Sequence, residues 1–239
     1  MNTTNEIAIL MAAGKGERMR PITATTPKPL VKVHGHRMIE TVIAGLNRRG
    51  VKHIYVVVGY LKEQFSFLTE LYPNLTLVEN TEFTVKNNIS SIYAVADVLG
   101  HEDCFICEAD LYVSDPTMFD ATLENSCYFG KMVAGHSDDW VFDTDANGRI
   151  VRVGKYGDDV YNMCGVSFFK REDAACIAEA IREAYRHEGH EQLYWDEIVD
   201  RELNNVYMTV HPVGAEQIVE IDSVSELIAV DPSYKDTVQ

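Results

Sequence analysis

Glu6-Ile-Ala-Ile-Leu-Met11 leads straight into Ala12-Ala-Gly-Lys-Gly-Glu-Arg-Met-Arg-Pro-Ile-Thr23. The first six residues form a short apolar run bounded by a glycine turn, which predicts a buried strand. The loop after it carries glycines and spaced basic side chains, as a triphosphate site at a strand end requires. Gly14 and Gly16 permit unusual backbone angles and close approach, so consecutive N–H groups can point at phosphate oxygens. Lys15 and Arg18 would then neutralise charge. Met19 stands where a dinucleotide fingerprint needs its third glycine, and no Gly-Lys-Ser/Thr occurs, so neither that fingerprint nor a Walker loop fits.

Outward from this stretch, strand and helix patterns alternate. Helical spacing covers His36–Arg49 up to Gly50, and His53–Val58 reads as a strand. Leu61–Leu71 is predicted helical, Leu75–Val78 a strand, Ser90–Val98 a helix and Cys104–Cys107 a strand leading into Glu108-Ala109-Asp110. Alternation of this kind implies an α/β fold: a mostly parallel central sheet flanked by helices, with ligands bound beyond the carboxyl ends of its strands. The second half reads differently, with strand-like Cys127–Ala134, Trp140–Asp143, Ile150–Val153 and Tyr161–Phe169 separated by short turns, which predicts antiparallel insertions. Helices are predicted over Arg171–Arg186, Gln192–Leu203 and Val224–Val230, and strands over Val206–His211 and Gln217–Ile221. We expect one domain over residues 1–230, with a nucleotide-binding core at about 1–114 and 215–230 and acceptor-binding insertions at about 115–214. Residues 231–239 read as a frayed tail or the start of a linker.

The chain has 239 residues with 21 Lys+Arg against 37 Asp+Glu, a net charge of −16 that argues against nucleic acid and anionic membrane as partners. That average hides a cationic loop, because Gly14–Arg37 holds six basic residues against Glu17 alone. No apolar run is long enough to span a membrane, and the apolar start lacks a basic leader, so a cytoplasmic location is expected. Five cysteines fit reduced thiols; Cys104 and Cys107 lie in an apolar run and read as core filling rather than a redox pair. Asp143–Gly148 imitates half of an EF-hand loop but has Gly154 where the closing glutamate belongs, so Asn147-Gly148 reads as a hairpin turn. The histidines show no metal spacing.

Gly14-x-Gly16-x-Arg18-Met-Arg20-Pro-Ile-Thr23 and Pro27-Lys28-Pro-Leu30 resemble the signature of the sugar-1-phosphate and choline-phosphate nucleotidyltransferases, a family with a Rossmann-like core. Glu108-Ala-Asp110, Cys164–Phe169, Leu193–Asp196 and Glu220–Ser223 extend the resemblance, in order along the chain, to the bacterial CTP:phosphocholine cytidylyltransferases, which serve in decorating cell-surface glycans. The resemblance implies Asp110 and Asp222 as magnesium ligands, each following a strand, so that two carboxylates and phosphate oxygens make the hard shell this cation prefers. It places Lys28, stiffened between two prolines, on the reacting phosphates. Nucleotide contacts are expected from Ala12, Ala13, Gly14, Lys15, Gly16, Arg18, Lys28, Asn88, Ser90 and Asp110. Asn87, Asn88 and Ser90 match the family's base-binding loop, although Asn88 or Ser90 also reads as a helix cap.

For the acceptor, an aromatic face beside a carboxylate is how proteins hold a quaternary ammonium. Asp139-Trp140 and Tyr194-Trp195-Asp196 supply this pattern, although Trp140 and Trp195 read equally well as core; Glu108, Tyr112 and Lys155 complete the expected acceptor set. The resulting expectation is transfer of CMP from CTP to phosphocholine, with Lys28, Arg18 and Lys15 stabilising the reacting phosphates and magnesium as cofactor. The ranked alternative is a primary-amine acceptor, 2-aminoethylphosphonate or phosphoethanolamine; a sugar-1-phosphate enzyme or a non-catalytic nucleotide-binding domain ranks lower. Oligomeric state, with a homodimer as one form, and a second enzyme domain fused or associated beyond residue 239 are left open.

Overall fold

Strand β1 (Glu6–Ala12) divides its side chains between two cores. Ala8, Leu10 and Ala12 face one side and Ile7 and Ile9 the other, as the two-residue period of a strand buried on both faces requires. The structure is a computed structural model and describes residues 4–236. After β1 come a short hairpin, β2 (Lys32–Val33) and β3 (His36–Arg37), then helix α1 (Met38–Arg49) and β4 (His53–Val58). Helix α1 stops where Gly50 takes φ 87°, a left-handed angle that suits glycine. The predicted helix over Leu61–Leu71 is a 3-10 turn at Lys62–Phe65 followed by α2 (Phe67–Leu71).

Beyond α2 lie β5 (Leu75–Glu79), the short helix α3 (Ile89–Tyr93), β6 (Asp103–Glu108) and β7 (Leu111–Val113). The second half holds β8 (Ser126–Met132), β9 (His136–Thr144), β10 (Ile150–Asp158) and β11 (Tyr161–Phe169). Helices α4 (Arg171–Ala184) and α5 (Trp195–Glu202), strands β12 (Met208–Pro212) and β13 (Ile218–Glu220), and helix α6 (Val224–Val230) follow. The main sheet runs β10-β9-β11-β6-β1-β4-β5, with β8 joined to β11 and β12. Strands β6, β1, β4 and β5 are parallel, whereas β11 is antiparallel to β6, β8 and β9, so the sheet is mixed. The Asn147-Gly148 segment forms the β9–β10 turn, Asp145 accepting backbone N–H bonds from Asn147 and Arg149.

The segment expected to fray is docked. Asp231 accepts the His34 N–H, and the Tyr234 hydroxyl donates to the Lys32 carbonyl, so Pro232–Asp236 packs on the β2–β3 hairpin. Residues 237–239 of that predicted tail lie outside the described residues. Cys104, Cys107, Cys127 and Cys164 are buried free thiols, with burial pushing each of them up. None therefore offers a thiolate for redox chemistry.

Candidate active site

The carboxyl ends of β1, β5 and β6 open into one cavity of about 420 Å³, and a second of about 310 Å³ adjoins it at the glycine loop. Lys28 joins their chemistry. It is 6% exposed, and its Nζ lies 2.6 Å from Asp110 Oδ2 and 2.5 Å from Asp222 Oδ1, while Arg18 reaches Asp222 at 2.8 Å. Burial alone would lower the Lys28 pKa, but Asp110 and Asp222 outweigh it and hold the ammonium charged. Burial likewise works against Asp222, yet its bonds with Lys28 and the field of Arg18 keep that carboxyl below its usual range.

Gly16 explains how the loop comes this close. Its φ is 60°, and a Cβ there would lie 2.9 Å from Lys28 Cβ. Its carbonyl accepts both the Met19 N–H and the Thr23 hydroxyl, which rolls the loop back on itself around the fully buried Met19. Gly14 and Arg18 line both cavities, Ala13 the larger and Ala12 the smaller. Lys15, from which a catalytic and nucleotide-binding role is expected, lines neither.

The side of the cavity expected to take the base is lined by Asn80, Phe83, Lys86, Asn87, Asn88, Ser90 and Ser91. Asn80, buried at the end of β5, donates to the hydroxyls of Ser90 and Ser91, and Ser90 donates in turn to the Asn87 carbonyl. Neither expected cap side chain caps α3. Asn88 precedes that helix, but its Oδ1 accepts the Trp195 N–H at 3.0 Å, and Asn87 donates its N–H to the Glu191 carbonyl. The base-side loop is thereby tied to the segment carrying Tyr194 and Asp196. Asn80, Phe83 and Lys86 were missed because an isolated Asn or Lys between a strand and a helix has no sequence signal of its own.

Glu108, Asp139, Trp140, Lys155, Tyr194 and Asp196 all line the larger cavity, together with Met163 and Glu220. Trp140 and Tyr194 meet edge to face with centroids 5.4 Å apart, and Lys155 Nζ lies 5.8 and 5.9 Å from their rings. Trp195 is core, 3% exposed against Tyr128 and Phe169. Tyr112 corrects an expectation: on β7 it points away from the cavity, contacting the His34 ring and a small core built on Met19, Val31 and Leu227. It follows Leu111, whose side chain occupies the main core, and strand alternation sends Tyr112 to the opposite face.

The carboxylates differ in state. Burial, reinforced by Glu220, Asp110 and Asp196, drives Glu108 far above the usual range. Glu220 keeps a solvent path along the cavity, yet desolvation and the charges of Asp110 and Asp222 push it up to about 8. Asp196, enclosed beside the Tyr128 hydroxyl that donates to it at 2.9 Å, is pushed up to about 7 by desolvation. The pairing of β13 with β7 delivers Glu220 and, two residues on, Asp222 to this wall. No group of three or more His, Cys, Asp or Glu among the described residues forms a metal cage. Two carboxylates on one ammonium, open to a cavity, instead suit a cation that arrives with phosphate oxygens, as magnesium does.

Residues 8–194 match the MobA-like NTP transferase domain. The chain is 54% identical to the 2-aminoethylphosphonate cytidylyltransferase of Lancefieldella rimae, covering 98% of this chain and 95% of that protein. It is 34% identical to the choline-phosphate cytidylyltransferase of Streptococcus pneumoniae over 92% and 94% of the two chains. A solved structure of the CTP:phosphocholine cytidylyltransferase from Streptococcus pneumoniae superimposes with a TM-score of 0.88 at 31% identity, covering 97% of this chain and 100% of the other. No helix among the described residues is long and apolar enough to cross a membrane. A glycine loop seated on a buried lysine, two carboxylates on that lysine and family matches along the chain converge on one assignment: the protein is a nucleotidyltransferase of the MobA-like NTP transferase family, among its bacterial cytidylyltransferases.

Proposed function

We propose that the protein transfers CMP from CTP to 2-aminoethylphosphonate, releasing pyrophosphate. The observation that carries this reading is that four carboxyl groups, those of Glu108, Asp139, Asp196 and Glu220, line the same cavity as the Trp140–Tyr194 ring pair. A primary ammonium donates hydrogen bonds, which carboxyl oxygens accept whether ionised or, as burial favours for Glu108 and Glu220, protonated, whereas a trimethylammonium has no N–H and depends on ring faces. Here the ring corner is shared with the Lys155 ammonium. The 54% identity to the relative named for 2-aminoethylphosphonate supports the same ranking, so phosphocholine, ranked first from the sequence, moves behind the primary-amine acceptor.

In this reading residues 1–114 and 215–230 carry the nucleotide and 115–214 the acceptor. An acceptor phosphonate oxygen bonds to the α-phosphorus as the bond to the β-phosphate oxygen breaks, and pyrophosphate leaves with the electron pair. The acceptor oxygen is already anionic, so no general base is needed, and the protein contributes position and charge. Lys28 and Arg18 stabilise the negative charge, and Gly14 and Gly16 let the backbone close on the phosphates. Asp110 and Asp222 would hold magnesium, which would supply further charge neutralisation on the triphosphate.

Pyrophosphate release from CTP tested with 2-aminoethylphosphonate, phosphoethanolamine and phosphocholine, with UTP and ATP as controls, examines the reading. We expect the highest kcat/KM for CTP with 2-aminoethylphosphonate. A higher value for phosphocholine overturns the acceptor, and no release from CTP overturns the activity.

A further inference from the structure

The corner Gly59-Tyr60-Leu61, just past β4, lines neither cavity yet touches both nucleotide-side loops. The Tyr60 N–H donates to the Ala13 carbonyl at 3.1 Å, and its hydroxyl donates to the Thr23 carbonyl at 2.9 Å, with the Ala24 carbonyl at 3.3 Å beside it. Gln64, one turn on, donates from Nε2 to the Thr25 carbonyl. On the other side, Gly59 sits under the base-side loop so closely that a Cβ would lie 2.7 Å from the Phe83 ring and 3.0 Å from Ala13 Cβ. Leu61 holds φ 49° and ψ 39°, a left-handed conformation that is unfavourable for a residue with a β-carbon and persists only where its surroundings enforce it.

These contacts form a chain into the site. Thr23, whose carbonyl Tyr60 holds, donates its own hydroxyl to the Gly16 carbonyl, and Gly16 packs on Lys28. An exposed glycine-rich loop loses much backbone freedom when it closes on phosphates, so anchoring its far end in advance lowers the cost of binding. We propose that Tyr60 is a positioning residue for the nucleotide, bracing the phosphate loop from the neighbouring strand. The inference rests on the reading of this cavity as the CTP site.

Tyr60→Phe removes the hydroxyl and keeps the ring, so the fold is retained. Two measurements test it: hydrogen exchange of the 14–25 amides in the ligand-free protein, and initial rates against CTP and against acceptor. The expected result is faster exchange confined to 14–25 and a CTP KM about three- to tenfold higher, the factor one hydrogen bond of ordinary net strength supplies. The kcat at saturating CTP and the acceptor KM stay within about twofold, and Gln64→Leu shifts CTP KM in the same direction. Unchanged exchange and unchanged CTP KM overturn the proposal, as does a uniform loss of kcat and melting temperature, which marks a merely structural tyrosine. Wild-type protein that releases no pyrophosphate from CTP overturns the function instead, and the exchange data then decide the brace alone.

Discussion

Replacing Lys28 by methionine keeps the unbranched stem of the side chain and deletes the terminal ammonium that Asp110 and Asp222 share. In the wild type the lysine is nearly enclosed and the two carboxylates are each 23% exposed. Breaking a buried pair by removing one partner typically costs about 3–5 kcal/mol. Partial solvation of both carboxylates and the remaining Arg18 contact to Asp222 place this case at the lower end, about 2–3 kcal/mol. For a chain of this size that corresponds to a fall in Tm of roughly 4–12 °C. The pH dependence changes sign at the same time. In the wild type the Asp222 pKa is depressed, so its stabilisation is present above the unfolded pKa and is lost as pH falls through the folded value. Without Lys28, desolvation and mutual repulsion raise the folded pKa values, so Lys28→Met loses stability as pH rises through them. A second substitution, Asp222→Asn, removes one of the two repelling charges and restores part of the lost Tm while leaving the enzyme inactive. Melting curves across pH 4–9 and pyrophosphate-release assays read both effects, and kcat should fall by about 10²–10³ for loss of a preorganised charge on the phosphates. Equal Tm for Lys28→Met and wild type at neutral pH, or activity within tenfold, would show that Lys28 is not the shared counter-ion of Asp110 and Asp222.

Asp110→Ala is expected to leave a folded protein, seen in an unchanged circular dichroism spectrum, with turnover nearly abolished; near-normal activity would sink the assignment of this carboxylate. For Asp196, whose folded pKa is raised to about 7, ionisation costs stability as pH rises through that value, so Asp196→Asn should melt above wild type at pH 8 and close to it at pH 4. The same substitution should raise the acceptor KM. Gly16→Ala forces a β-carbon into a left-handed angle and against Lys28, and should lower the unfolding free energy from denaturant titration by about 1–2 kcal/mol together with a higher CTP KM. Tyr112→Phe should leave the acceptor KM unchanged, because that ring sits outside the cavity.

Much of the fold is local in origin and therefore legible along the chain. His53–Val58 and Tyr161–Phe169 appear as strands with the predicted ends, because apolar and β-branched runs bounded by turn residues leave little choice. The helix predicted over Ser90–Val98 is α-helical only over Ile89–Tyr93, after which the backbone tightens into three-residue turns, Val95 N–H to the Ile92 carbonyl and Val98 N–H to the Val95 carbonyl. Strands β2, β3 and β7 pass unpredicted since two or three residues carry no readable period. Of the residues that line the two cavities, Gly14, Gly16 and Arg18 stand out by type and spacing, Lys28 and Asp110 through the family resemblance, and Trp140 and Tyr194 through their neighbouring carboxylates. Tyr112 misleads because a motif position does not reveal which way a side chain turns once its neighbours pack.

What the sequence determines by itself is the order of strands and helices and a cationic glycine loop after the first strand, since both depend on residues close together in the chain. Tertiary structure decides the charge states and the partners. Asp222 meets Lys28 across 194 residues only because β13 pairs with β7, and Glu108 and Glu220 are pushed above the usual carboxyl range only because folding desolvates them and gathers them beside Asp110. The brace from Tyr60 to the phosphate loop has the same origin: β4 lies beside β1 in the sheet, and strand neighbours are fixed by long-range burial that no local pattern encodes.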